Sequence, residues 1–141
     1  MNYSFNRTCA IIGLALAALA FNACNTAKKV AACPDNVACT MMFASISVYV
    51  TDANSKPVLF DDAYTINVSS GETIRLEPNG AGMGHYTVLD DSYRKKLQNR
   101  TDRFQFVGIK NNQRVVEELY TIGADCCHVS KVSGREEVVL K

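Results

Sequence analysis

The chain has 141 residues, 21% charged and 48% hydrophobic, the balance of a folded domain and not of a disordered segment. Its 15 basic and 14 acidic side chains leave a net charge of +1, which gives no electrostatic footprint for nucleic acid. Tryptophan is absent, so no buried Trp marks an immunoglobulin-type core.

The start of the chain reads as an address. Residues 1–9 are polar with one cation, Arg7. Residues 10–21 are a run of twelve apolar or small side chains. A spanning helix needs about twenty, so the run has the length of a secretory signal's apolar core. Asn22, Ala23 and Cys24 come next. A small residue then cysteine, directly after such a run, resembles the lipobox of bacterial lipoproteins. Phe21 and Asn22 stand where that pattern prefers a Leu-type and a small residue. The resemblance implies removal of residues 1–23, lipidation of Cys24 and attachment to a membrane of the bacterial cell envelope. The alternative is ordinary cleavage after Ala18-Leu19-Ala20, which leaves Cys24 a plain thiol.

Cysteine arithmetic favours the lipid. Of six cysteines, Cys9 leaves with the signal, so Cys24, Cys33, Cys39, Cys126 and Cys127 remain. An odd number in an exported chain needs an explanation, and acylating Cys24 supplies one. Trimming also removes Arg7 and no carboxylate, so the mature net charge is zero. That argues against a polybasic grip on anionic lipid.

Residues 25–40 read as a tether. Lys28 and Lys29 sit in a polar stretch without hydrophobic periodicity, and the Pro34-Asp35-Asn36 centre between Cys33 and Cys39 favours a turn. Residues 41–141 read as a β domain. In residues 43–51, Ile46, Val48 and Val50 alternate with polar neighbours, the mark of a half-buried strand. Residues 52–57 turn the chain. Residues 63–68 make a second strand with Tyr64, Ile66 and Val68 on one face, and residues 73–77 return with Ile74 and Leu76 inward. Residues 78–84 form a glycine-rich loop. No helix pattern follows it, so it is no phosphate cradle.

Tyr86 and Val88 restore the alternation up to Asp90. Residues 91–97 suit one or two helical turns, capped by Asp91 or Ser92, with Tyr93 and Leu97 one turn apart. Residues 103–109 and 114–122 form a hairpin around Asn111-Asn112, which tolerates the left-handed backbone of tight turns. Residues 137–140 close the chain. Seven short strands predict a single antiparallel β-sandwich, transthyretin-like or immunoglobulin-like, with a short helix near residues 91–97.

The strand at 43–51, the turn running to Pro57-Val58, and Gly84-His85-Tyr86-Thr87-Val88 resemble carboxypeptidase regulatory-like domains. The likeness covers roughly residues 43–140. That family usually has a glycine in the first turn, where Asn54-Ser55 stands here. The resemblance implies a transthyretin-like sandwich acting as a non-catalytic accessory or binding module.

The remaining cysteines hold the chemistry. In an oxidising compartment four cysteines normally make two disulfides. A bridge between the neighbours Cys126 and Cys127 would be strained. Each therefore pairs with one of Cys33 and Cys39, in either order. The rival is a Cu or Zn site using Cys126, Cys127 and His128, with Met83 and His85 as further soft ligands. The commoner role for His128 is a surface or hydrogen-bonded imidazole.

Catalysis has little to draw on. The chain has two histidines, no Gly-x-Ser-x-Gly elbow and no His-Glu-x-x-His helix. Asp61-Asp62 and Asp90-Asp91 lack the ligand spacing of a defined calcium site. No cofactor is expected. The sequence thus predicts a lipid-anchored envelope module, non-catalytic, binding an envelope protein, a peptide or a glycan.

Overall fold

The structure is a computed structural model that describes residues 32–76 and 83–141. The signal-like run, Cys24 and residues 78–82 of the glycine-rich loop lie outside the described residues. Chain order is β1 (Ser45–Asp52), β2 (Asp62–Asn67), β3 (Thr73–Ile74), β4 (His85–Asp90), a 3-10 turn (Asp91–Tyr93) running into α1 (Arg94–Leu97), β5 (Arg100–Lys110), β6 (Gln113–Ala124), β7 (Val129–Ser133) and β8 (Glu137–Leu140). They form a three-stranded sheet in the order β4-β1-β8 and a five-stranded sheet in the order β3-β2-β5-β6-β7.

All seven expected strands occur, and β7 is an eighth. Only Val129 of β7 is buried, so its alternation carries little apolar signal. It exists because its backbone pairs with the last residues of β6. The sheets are also not wholly antiparallel. β8 runs parallel to β1, because the chain crosses from one sheet to the other between β7 and β8.

The core lies between the sheets. Val48 and Val50 of β1, Val88 and Leu89 of β4, Phe104 and Phe106 of β5, and Tyr120 and Ile122 of β6 are fully buried. Side chains of this size contribute about 1.5–3 kcal/mol each when fully buried. The mixed strand β6 turns Val116, Tyr120 and Ile122 inward, and leaves Glu117 and Leu119 outside. Tyr93 and Leu97, one turn apart, both reach the core. The helical turn is capped by Asp90, whose side chain accepts from Ser92 N–H, and not by Asp91 or Ser92.

β2 reverses the apolar expectation. Thr65 and Asn67 are buried, whereas Val68 is exposed. Hydrogen bonds make this tolerable. The register between β1 and β4 skips at Val88, and the Val88 carbonyl accepts from Thr65 Oγ1 at 2.7 Å, linking the two sheets. Asn67 donates to Tyr93 Oη and Asp102. On the outer face, Arg75 covers the Tyr64 ring at 5.0 Å.

The turns follow their residues. Asn111 and Asn112 both take positive φ, 52° and 60°, as a tight hairpin between β5 and β6 requires. Ser55 takes φ 61° in the first turn, held by Asp52, whose carboxylate accepts from Asn54 and Lys56 N–H. Tyr86 is buried, and its hydroxyl ties down the next loop by donating to Val58 O and accepting from Phe60 N–H.

The strand directions give the sandwich two poles. One pole carries the start of β1, the end of β4, α1, the end of β6 and the start of β7. The other carries the β5–β6 hairpin and the end of β8, beside Asp52.

Candidate functional site

The first pole gathers the chemistry. Asp125 shapes the link between β6 and β7, since its carboxylate accepts from Cys127 N–H at 2.6 Å and His128 N–H at 2.8 Å. Those two backbone bonds hold the Asp125 carboxyl below its usual range. The turn spreads the two adjacent cysteines toward separate partners. Cys33 bonds Cys126 and Cys39 bonds Cys127, with Cα atoms 5.6 and 5.3 Å apart. From α1, Arg94 donates to the carbonyls of Cys126 and Cys127 at 2.9 and 3.3 Å. Both staples therefore sit on one short turn backed by a cation.

Beside them runs a second link. Asp91 accepts from Ala44 N–H through Oδ2 and from Val129 N–H through Oδ1, both at 2.8 Å. The same Oδ2 lies 2.7 Å from His128 Nδ1. An ionised carboxylate only accepts, so Nδ1 carries the proton. In the neutral imidazole His128 Nε2 then accepts from Thr40 Oγ1, the two atoms lying 2.8 Å apart. A mostly covered carboxylate, a half-buried imidazole and an exposed hydroxyl thus connect the 3-10 turn, the β6–β7 link and the segment before β1.

The connectivity is that of a hydrolytic relay, and the same bonds fasten three segments of the chain to one another. Two clefts among the described residues, one beside Tyr49 and His85 and one beside Phe60 and Tyr64, are lined by residues other than Thr40, Asp91 and His128. The relay pins the chain at Thr40, one residue after the Cys39 staple, and the same Asp91 holds Ala44 four residues on.

This link makes acid stability depend on Asp91. Burial disfavours its charge, but the bonds from His128, Ala44 and Val129 outweigh that and hold its carboxyl below the ordinary 3.8. A carboxyl acidified by folding stabilises the fold above its unfolded pKa and loses that contribution as pH falls through the folded value. Asp91→Asn is expected to cost about 1–3 kcal/mol at pH 7, because an amide NH₂ then faces N–H donors. Its stability should also decline less steeply than the native protein's below the ordinary carboxylate range. Urea titrations across pH 2–7 measure both, and equal acid slopes in the two proteins would contradict the assignment.

The proposed metal ligands are dispersed. The four cysteines are in disulfides and offer no thiolate. Both ring nitrogens of His128 are engaged. His85 opens β4 and stacks on Tyr49 at 4.6 Å, whereas Asp91, which holds His128, follows the last residue of β4. The two imidazoles are thus a strand length apart. Met83 lies at the His85 end and is exposed. Among the described residues no group of three or more His, Cys, Asp or Glu is placed to hold a metal. The paired aspartates have protein partners: Asp62 binds Arg75, Asp61 accepts from Asn111 N–H, and Asp90 caps the helical turn.

A groove of about 530 Å³ runs beside β1, walled by Ser45, Ser47, Tyr49 and His85 on one side and by Ser130 and Glu137 on the other. It exists because β8 pairs with β1 only from Tyr49 onward. Tyr49 N–H donates to Glu136 O. Backbone alternation sends the N–H and C=O of Ser45 and Ser47 the same way, beyond the reach of β8. Sequence reasoning missed the groove, Asp91, Thr40 and Arg94. Thr40 and Asp91 lie 88 and 37 residues from His128, and nothing local marks either.

Comparison with family models, with curated proteins and with solved structures finds no match.

Proposed function

We propose that the chain is an exported envelope lipoprotein, held to a membrane through acyl chains on Cys24, whose β-sandwich is a non-catalytic binding or structural module. The observation that carries this reading is the pair of disulfides that fasten the residues just after the tether to one pole of the sandwich. Two such bonds fit an oxidising compartment. They engage all four cysteines left once Cys9 and Cys24 are accounted for. One pole thus faces the attachment point, and the flanks and opposite pole are presented outward. The groove beside Tyr49 and His85 offers an envelope protein, peptide or glycan an aromatic stack, hydroxyls and unpaired strand backbone. The metal alternative needs thiolates that the disulfides have consumed.

Two or more acyl chains anchor stably where one does not, at about 0.8 kcal/mol per buried CH₂. Cys24→Ala is therefore expected to lose all incorporation of an alkyne-tagged fatty acid and to leave the washed membrane fraction. Undiminished membrane retention with no acyl label in the native protein would overturn the anchor.

A further inference from the structure

Met41, Met42 and Phe43 are three consecutive apolar side chains with relative exposures of 104%, 77% and 66%. Single exposed apolar residues need no explanation, but a run of three does. The run is not loose chain. Cys39 is bonded to Cys127, Thr40 to His128, and Ala44 both donates to the Asp91 carboxylate and accepts from Asp91 N–H. The tripeptide is an arch with both feet fixed on the first pole. Its side chains have been rigidly turned away from a core a few residues distant.

We infer that this arch is a membrane-seating wedge, which enters the boundary between headgroups and acyl chains of a phospholipid bilayer when the protein is attached. The inference rests on the lipid anchor at Cys24. The length and end point of the chain outside the structure select the occupant. Nine residue steps separate Cys24 from Cys33, a reach of at most roughly 30 Å. Cys33 is itself bonded to the same turn as Cys39. A bilayer holding acyl chains on Cys24 is then within reach of the arch, which with Val37 between the stapled cysteines is an exposed apolar feature of the pole that faces it. Unbranched Met side chains adapt to an irregular surface, and aromatic rings favour the bilayer interface. The wedge fixes how the domain stands: first pole down, hairpin pole and C-terminus outward. An acyl tether alone would leave the orientation free.

The chain has no tryptophan, so Phe43→Trp introduces a single reporter at the arch. Leu119→Trp, on the exposed outer face of β6, serves as the control. Each full-length, acylated variant is reconstituted in phosphatidylcholine vesicles, with and without lipids brominated near the headgroup. The expected result is a blue-shifted emission, quenched by the shallow bromines, for Phe43→Trp, and a water-like, unquenched emission for Leu119→Trp. Water-like emission from an acylated Phe43→Trp protein would overturn the wedge and leave the anchor standing. Absence of acyl chains by mass spectrometry would instead overturn the anchor. A blue shift already present in Cys24→Ala/Phe43→Trp protein in buffer would assign the arch to a second copy. Shielding in native membranes but not in pure lipid would assign it to a protein partner. Either outcome would overturn the wedge.

Discussion

Removing one disulfide is expected to cost about 2.5 kcal/mol, and removing both about 7 kcal/mol, whichever is removed first. The asymmetry follows from the topology. The staples join residues 93 and 88 apart in sequence, but their ends are neighbours. The first to form closes a long loop, worth about 4.7 kcal/mol in the chain-entropy model. With that loop closed, the second completes only a small ring through residues 33–39 and the Cys126-Cys127 step. A ring of about nine residues is worth about 2.5 kcal/mol. Each bond is therefore a partial substitute for the other. The measurement is urea unfolding of Cys33→Ser/Cys126→Ser, Cys39→Ser/Cys127→Ser and the quadruple variant. A Cys24→Ala background prevents a free thiol from reshuffling the pairs. Most domains have only 5–15 kcal/mol in total, so the quadruple variant should be largely unfolded or close to it. Simple additivity, with each pair costing the same before and after loss of the other, would contradict this account.

The second large effect is expected at Gly134, where the chain crosses from β7 to β8. Its φ is 128°, and a Cβ there would lie 2.1 Å from the Tyr120 ring. Tyr120 cannot retreat: it is 1% exposed, and its hydroxyl donates to Arg135 O at 2.8 Å. Gly134→Ala should cost about 3 kcal/mol or more, combining backbone strain with overpacking. Gly71→Ala is the control. It also has positive φ, 74°, but its Cβ would meet nothing within 4 Å. Backbone strain alone should cost it about 1 kcal/mol. Thermal unfolding of the two variants side by side separates the terms. Equal losses would mean that the crossover relaxes and the ring contact is unimportant.

Much of the sandwich is legible in the chain because its signals are local. Ile46, Val48 and Val50 alternate with polar residues and are buried as the pattern predicts. Asn111-Asn112 specifies its hairpin through the backbone those residues tolerate. What escaped depends on distant partners. Thr65 and Asn67 of β2 look like a solvent face until Val88 O, Tyr93 Oη and Asp102 are beside them. β7 has one buried side chain and is a strand through its pairing to β6. At the stapled pole the disulfide partners followed from excluding the adjacent pair, but which joined which did not. The structure joins Cys33 to Cys126 and Cys39 to Cys127. The Thr40–His128–Asp91 link was illegible, because a hydroxyl, an imidazole and a carboxylate on separate segments announce nothing until folding brings them together.

The position of the staples also sets how tension would travel through the molecule. A pull on the chain ahead of Cys33 crosses directly to Cys126. Every strand from β1 to β6 lies off that covalent load path, and only β7 and β8 remain in series with the C-terminus. A force that stretched the protein between its two ends could peel away those last two strands. It could not draw out the other six without first breaking a sulfur–sulfur bond.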